Sequence, residues 1–349
     1  MIPLSCYRQE ITVNFGLYLP GYWPDTSVHM RHLYDWAIAE AREAEALGFN
    51  SFTIPEHHFS NALVHPNPLL TAIKVAENTN HAPIITSTSV LPFHDVRRLA
   101  GEVAQADCLT GGRIGVGVGR GAYRYEFERF EKRADEAPDV FRESLHLLRR
   151  LLSEENVTAD GDFYNFPSTT ITPRPIQQPH PPIWFAAMTP GGIDYAVSLD
   201  MPVLTTPLRD PFETVKVQAG SFQESKQRHS RPDLTLSMLV MIFVTKDERQ
   251  RQQMIDHAVG RHRRFLNMFT TTGTVASGAI VPIESDLSRD EIADNLLIGP
   301  PEWCVERLKL FEQQGIDNLQ LNFSFGAVHE EILESMHSFA EQVMPSFAE

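Results

Sequence analysis

The sequence is poor in cysteine, in long apolar runs and in basic residues. Its three cysteines, Cys6, Cys108 and Cys304, lie far apart and form no CxxC pair. This argues against a disulfide framework and favours a reducing cytoplasm. No stretch approaches the roughly eighteen consecutive apolar residues of a membrane-spanning helix, so none is expected. The N-terminus has no basic start followed by an apolar run, so we expect no signal peptide.

Basic residues are outnumbered, with 30 Lys and Arg against 45 Asp and Glu, which gives a net charge of −15. Binding to nucleic acid or to an anionic membrane needs a basic face, so neither partner is expected. The 349 residues are 42% hydrophobic and 21% charged, which is typical of a globular protein with a sizeable core. We find no shift in composition along the chain, so residues 1–349 are predicted to form a single domain.

Short apolar runs alternate with segments of helical spacing along most of the chain. Eight such runs read as strands, each followed by helical material: Thr12–Pro20, Ser51–His57, Ile84–Pro92, Arg113–Gly121, Pro182–Met188, Pro202–Pro207, Leu234–Thr245 and Asp317–Phe323. Continuous apolar strands joined by helical crossovers indicate a parallel sheet covered by helices. Eight units predict an α/β fold of the (β/α)₈ TIM-barrel type, with a doubly wound sheet as the alternative.

Two segments interrupt this alternation. Residues 157–182 are rich in proline, threonine and aromatics, and we predict an excursion with short strands. Residues 270–298 are poorly patterned and begin with small residues, so we expect a mobile loop over the reaction site.

Polar residues stand where several predicted strands end, which is where the active site of such a barrel forms. The stretch IPEHHF brings Glu56, His57 and His58 to the end of the second strand. Glu56, His57 and His94 are candidate ligands of a metal site, but adjacent strand residues such as Glu56 and His57 point to opposite faces and do not easily share one ion. We therefore expect no metal and take His57 and Glu56 as the candidate catalytic residues. His57 is the acid–base group, whereas Glu56 and His58 are turned toward neighbouring structure, where Glu56 orients its neighbours.

Two glycine-rich stretches suggest a phosphate site. GVGRGAY places glycines at alternate strand positions, where a flat group could lie against the backbone, and Arg120 follows directly. In MTPGG, Gly191 and Gly192 open a helix whose first N–H groups are free to bind an anion. The simpler explanations are a turn at Gly191 and Gly192 and a surface salt bridge at Arg120.

Several motifs together resemble the bacterial luciferase-like, flavin-dependent monooxygenases. They are EHHF, STSVLP, DCLTGGRIGVGVGRGAY, PPIWFAA and GIDNLQLNFSFG, and the similarity runs from about Val13 to Phe347. The resemblance implies an enzyme that binds reduced FMN (FMNH₂) and O₂ and forms a flavin C4a-hydroperoxide. This species would oxygenate an aldehyde, ketone or similar small organic substrate. The resemblance also implies a separate flavin reductase and a homodimer.

The resemblance assigns roles to particular residues. His57 matches the acid–base histidine, and Ser87–Thr88 matches a non-proline cis peptide beneath the flavin ring. Arg120 matches the phosphate-binding arginine, with Tyr123 nearby. Met188 and Thr189 stand where luciferase has a Glu–Ser pair, and Gly119 stands where it has a reactive cysteine. These two departures indicate a relative of luciferase that emits no light.

Two rival functions share the predicted fold. A deazaflavin (F420)-dependent oxidoreductase would transfer hydride and use the same phosphate grip, whereas EHHF favours the oxygenase. A flavin-binding protein without activity is the other rival, and the presence of His57 argues against it.

Overall fold

The computed structural model describes residues 13–208, 212–270 and 272–348. The strands are β1 Asn14–Tyr18, β2 Phe52–Ile54, β3 Ile84–Val90, β4 Ile114–Gly119, β5 Val157–Asp160, β6 Asn165–Thr169, β7 Ile183–Ala186, β8 Val203–Thr205, β9 Leu236–Val244, β10 Val275–Ala276, β11 Ala279–Ile280, β12 Leu297–Gly299 and β13 Asn318–Asn322. The helices are α1 Met30–Ala46, α2 Pro68–Asn78, α3 Val96–Leu109, α4 Arg124–Arg129, α5 Ala137–Ser153, α6 Pro190–Ser198, α7 Phe212–Arg228, α8 Glu248–Thr270, α9 Arg289–Asp294, α10 Pro301–Glu312 and α11 His329–Gln342.

Eight parallel strands close into a barrel in the order β9-β13-β1-β2-β3-β4-β7-β8, with β8 pairing back to β9. The predicted (β/α)₈ barrel is therefore confirmed, and the doubly wound alternative is wrong. All eight barrel strands coincide with predicted strands. Thr12, the first residue of the first predicted strand, lies outside the described residues, as does Cys6. Helices cover the outer face, so the strands are buried on both sides, which explains their continuous apolar character.

The starts of the helices follow local chemistry. Asp95 caps α3, since its carboxylate accepts the N–H of Arg97, and Asn67 caps α2 in the same way. Proline occupies the first turn of α2 and α6, where a missing N–H costs nothing. Within the described ranges, no helix combines the length and apolar character needed to cross a bilayer.

The two interrupting segments differ in what they contain. The excursion at 157–182 contains the antiparallel hairpin β5–β6, as predicted. The segment 270–298 is more ordered than its sequence indicates: it contains the hairpin β10–β11, the helix α9 and the strand β12, which pairs with the end of β9. These elements of two to six residues are too short to show a period. Residue 271 lies outside the described residues, and the mobility of this segment stays a prediction.

Candidate active site

A cavity of about 650 Å³ opens at the carboxyl ends of the barrel strands. This volume is in the usual range for a small-molecule site. The eleven candidate catalytic and cofactor-binding residues all line it: Glu56, His57, Ser87, Thr88, Gly119, Arg120, Tyr123, Met188, Thr189, Gly191 and Gly192. The barrel brings them together from four strand ends that are up to 136 positions apart in sequence, the separation of Glu56 and Gly192.

His57 follows β2 and is held by a carboxylate that the sequence analysis did not single out. Its Nδ1 lies 3.0 Å from Oε1 of Glu126, and its ring stacks on Tyr123 with 4.5 Å between centroids. The same Glu126 oxygen accepts the N–H of His58 at 2.7 Å. Glu126 is buried, and its second oxygen, Oε2, has no hydrogen-bond partner among the described residues. With Nδ1–H donated to Glu126, the Nε2 atom of His57 is left as an acceptor.

Glu56 supports different partners. It accepts hydrogen bonds from Nε2 of His58 at 2.8 Å, from Nε2 of His94 at 2.9 Å and from the N–H of Val90 at 3.0 Å. Burial alone would raise the pKa of Glu56, but the hydrogen bonds from the two histidines outweigh burial and hold this pKa below its usual value. The same carboxylate outweighs burial at His94 and raises the pKa of that imidazole. These contacts favour a supporting role for Glu56 over a catalytic one.

The glycines of β4 make room for the neighbouring strand. A Cβ at Gly119 would lie 2.4 Å from Oγ1 of Thr88, and one at Gly117 would lie 1.9 Å from the carbonyl oxygen of Thr86. The peptide bond between Ser87 and Thr88 is cis, as the resemblance implies, and β3 changes register against β4 at this point. The space left by the missing side chains of these glycines is therefore occupied largely by β3 itself, where the sequence suggested a flat ligand.

Arg120 and the start of α6 lie on adjacent strands, after β4 and β7. Arg120 is exposed at the cavity, and no residue of the described part of the chain forms a hydrogen bond or ion pair with it. Thr189 caps α6 by accepting the N–H of Gly192 at 3.3 Å, and a Cβ at Gly191 would meet nothing within 4 Å. The side chain of Met188 is 44% exposed beside them. Arg120 and the first turn of α6 together form what we call the phosphate corner. It has the cation and the open N–H groups that a phosphate needs.

The three residues considered as metal ligands, Glu56, His57 and His94, do not converge on one point in the structure. His94 and Glu56 are neighbours, but they bond to each other and to His58, and His57 faces Glu126 instead. No group of three His, Cys, Asp or Glu residues in the described ranges is arranged to hold a metal ion.

The sequence model of the luciferase-like monooxygenases matches residues 14–318, which is most of the chain. The chain belongs to the luciferase-like monooxygenase family. A curated relative in this family is the oxygenase component of a flavin-dependent trigonelline monooxygenase from Acinetobacter baylyi, with 31% identity over 91% of each chain.

Solved structures agree on the fold. The monooxygenase RslO1 from Streptomyces bottropensis superposes with a TM-score of 0.85 at 25% identity, covering 96% of this luciferase-like chain and 100% of that one. An F420-dependent secondary alcohol dehydrogenase superposes with a TM-score of 0.77 at 19% identity, covering 97% and 99% of the two chains. The second comparison shows the fold alone, and the barrel by itself does not choose between flavin and deazaflavin.

Two groups of this luciferase-like site escaped the sequence analysis. Glu126 lies on α4, a six-residue helix that is too short for a periodic pattern. Its place in the chain is the available signal: Glu126 lies seven residues after the end of β4, in the connection between β4 and α5 that must border the barrel mouth. Arg261 is the second group. It lies on the long helix α8 among many other polar residues, so its sequence position alone does not mark it as part of the cavity.

Proposed function

We propose that this protein is an FMNH₂-dependent monooxygenase, the oxygenase component of a two-component system. It would take reduced FMN from a separate reductase and use O₂, through the C4a-hydroperoxide that the family resemblance implies, to oxygenate a small organic substrate. The observation that carries the proposal is the pairing of His57 with the buried Glu126 at a cavity that is also lined by Arg120, a cation without a partner among the described residues.

The phosphate corner fits FMN. Arg120 supplies a charge, the first turn of α6 supplies N–H groups, and the absence of side chains at Gly191 and Gly192 leaves the approach open. The flavin ring would then lie toward the cis peptide at Ser87–Thr88, which lines the same cavity. Reduced FMN, when bound, supplies the electrons that activate O₂.

The chain's own contribution is proton handling and the exclusion of water. Nε2 of His57 accepts a proton from the substrate and returns it, while Nδ1–H stays bonded to Glu126. The stacked Tyr123 fixes the plane of the imidazole, and burial raises the pKa of Tyr123 well above its usual value, so its phenol stays neutral. Tyr123 belongs to an apolar cluster with the hairpin β10–β11, which screens this side of the cavity from water.

A titration under anaerobic conditions tests the cofactor. The purified chain is titrated with reduced FMN, reduced riboflavin and reduced F420, then mixed with ¹⁸O₂ and a panel of aldehydes, ketones and ring compounds. Trigonelline is included because a relative is named for it. We expect preferred binding of reduced FMN and one ¹⁸O atom in the product. Preferred binding of F420 with hydride transfer and no use of O₂ would replace the proposal by the deazaflavin alternative.

The assembly is part of the same proposal. We expect a homodimer in the cytoplasm that receives reduced FMN by diffusion from its reductase. Light scattering coupled to gel filtration measures the dimer, and a single monomeric peak at micromolar concentration would contradict it.

A further inference from the structure

Arg261, on α8, places a positive charge on the wall of the cavity. Its guanidinium lies 4.0 Å over the ring of Phe265, and its Nη1 lies 3.1 Å from Sδ of Met241. Its Nε is shielded from solvent and has no hydrogen-bond partner among the described residues. No carboxylate in the described ranges forms an ion pair with it. Burial lowers the pKa of Arg261, yet a guanidinium keeps its charge in proteins.

A second unpartnered donor lines the cavity near this charge. Asn322 is fully buried at the end of β13, and its Nδ2 has no hydrogen-bond partner within the described part of the chain. Its Oδ1 accepts the N–H of Ser324. The amide atom without a partner in the described ranges is therefore the Nδ2 donor.

The sheet register places these groups at one level. Asn322 is the register partner of Met241 on β9, and Leu321 is the partner of Leu17 on β1, so Tyr18 stands beside Asn322. All three side chains line the cavity. Burial raises the pKa of Tyr18, so its phenol also keeps its proton. The arginine, the amide and the phenol form a site rich in donors, and we call it the α8 anion site.

The α8 anion site is separate from the phosphate corner. In the closed barrel, β13 and β4 are four strands apart among eight, and therefore face each other across the cavity. Arg120 follows β4, whereas Asn322 ends β13. The two carboxylates that line the cavity, Glu56 and Glu126, are bonded to histidines and leave the α8 side without negative charge. Arg261 is partly buried, with its Nε shielded from solvent. A cation partly removed from water without a counter-ion carries a desolvation cost, and a bound anion offsets that cost.

We propose that the α8 anion site binds the carboxylate of the substrate, and that the substrate is a planar ring compound bearing that carboxylate. A guanidinium matches a carboxylate as a planar two-pronged donor, and Asn322 adds a third hydrogen bond. Phe265, Phe269 and Tyr123 line the adjoining wall and offer flat faces to a ring. The claim that this ligand is oxygenated rests on the function proposed above; the claim that a carboxylate binds does not.

The test compares matched neutral and anionic probes on the full chain loaded with reduced FMN under anaerobic conditions. Nicotinate is compared with nicotinamide, and benzoate with benzamide, by calorimetric titration. We expect each carboxylate to bind the wild type about 10- to 100-fold more tightly than its amide, as charge-assisted hydrogen bonds imply. Arg261→Met should abolish this preference, and Arg261→Lys should retain part of it because the charge remains.

The control is Arg263→Met, which removes the same charge two residues along the same helix. Arg263 pairs with Glu284 at 3.3 Å and does not line the cavity, so the preference for carboxylates should persist. Melting curves establish that each variant is folded. An equal affinity of the wild type for acids and amides overturns the proposal, as does a preference that survives in Arg261→Met.

Other outcomes separate this inference from the proposed function. If Arg261→Met weakens reduced FMN and leaves the carboxylate preference unchanged, the arginine serves the flavin and the inference is wrong. If the carboxylate preference depends on Arg261 but no ¹⁸O reaches any product, the anion site stands and the oxygenase proposal fails. If the wild type transfers one ¹⁸O atom to a product but shows no carboxylate preference, the oxygenase proposal stands and the anion site fails.

Discussion

Two buried carboxylates at the mouth of the barrel each hold a histidine, and they differ in what they leave open. Both oxygens of Glu56 are occupied, by His58, His94 and the backbone of Val90. Glu126 uses one oxygen for His57 and the N–H of His58, while its other oxygen has no partner among the described residues. A buried polar group with all its partners serves the structure, whereas one with free capacity beside a cavity indicates chemistry.

The largest expected effect separates the two histidines. His57→Ala should lower turnover by about 10²–10⁴-fold, the usual contribution of a general acid–base group, with little change in melting temperature or in affinity for reduced FMN. His58→Ala should reduce the melting temperature more and turnover less, because it removes a donor to the fully buried Glu56. Melting curves and single-turnover oxygenation rates measure both.

The assignment of the two histidines has one clear contradiction. If a well-folded His58→Ala variant is inactive while His57→Ala remains active, the roles are reversed. Imidazole added to His57→Ala is a further check, since it should restore part of the rate if the missing group is a proton acceptor.

The second expected effect concerns the two carboxylates directly. Glu126→Gln should lower turnover by about 10²-fold, the cost of misplacing a reacting group by roughly 1 Å. Glu56→Gln should instead lower the free energy of unfolding by about 1–3 kcal/mol, since a buried donor loses its acceptor. Turnover at saturating substrate and chemical denaturation curves distinguish them. Equal turnover losses in two equally stable variants would remove the distinction between the carboxylates.

A third effect extends the comparison to the phosphate corner. Arg120→Ala should weaken reduced FMN about 10- to 100-fold by loss of a charge-assisted contact, and should hardly change the affinity for reduced riboflavin, which has no phosphate. Arg124→Ala removes a similar exposed charge four residues away, from a residue that does not line the cavity, and is the matched control. Equal losses for FMN and riboflavin in Arg120→Ala would refute the phosphate role.

Much of this arrangement could be predicted from the sequence, for local reasons. Each barrel strand is a short apolar run, and the long helices between the strands show helical spacing of apolar residues, so the order of these segments predicts the barrel. Because the carboxyl ends of parallel strands meet, Arg120, His57 and Thr189 could be placed together without coordinates.

What the sequence did not reveal depends on contacts between distant residues. The hydrogen bond between His57 and Glu126 joins residues that are 69 positions apart. The local sequence around neither residue indicates this contact. The unpartnered state of Arg261 depends on which side chains the folded barrel places around α8. The alternate glycines of β4 suggest room for a ligand, but β3, which changes register there, occupies much of that space, and this is a property of the sheet.

The smallest expected effect is a dependence of stability on pH at His94. Because the pKa of His94 is raised in the folded protein, its contribution is complete below the usual histidine value near 6.5 and is lost as pH rises through the folded value. Glu56, whose pKa is lowered, is ionised throughout this window. His94→Gln should therefore cost more free energy of unfolding at pH ~5.5 than at pH ~9. His180→Gln is the control, since His180 bonds only a backbone carbonyl among the described residues and should show no such trend. Denaturation curves at several pH values measure both variants, and parallel pH profiles for the two would show that the charge on Glu56 does not stabilise the protein through His94.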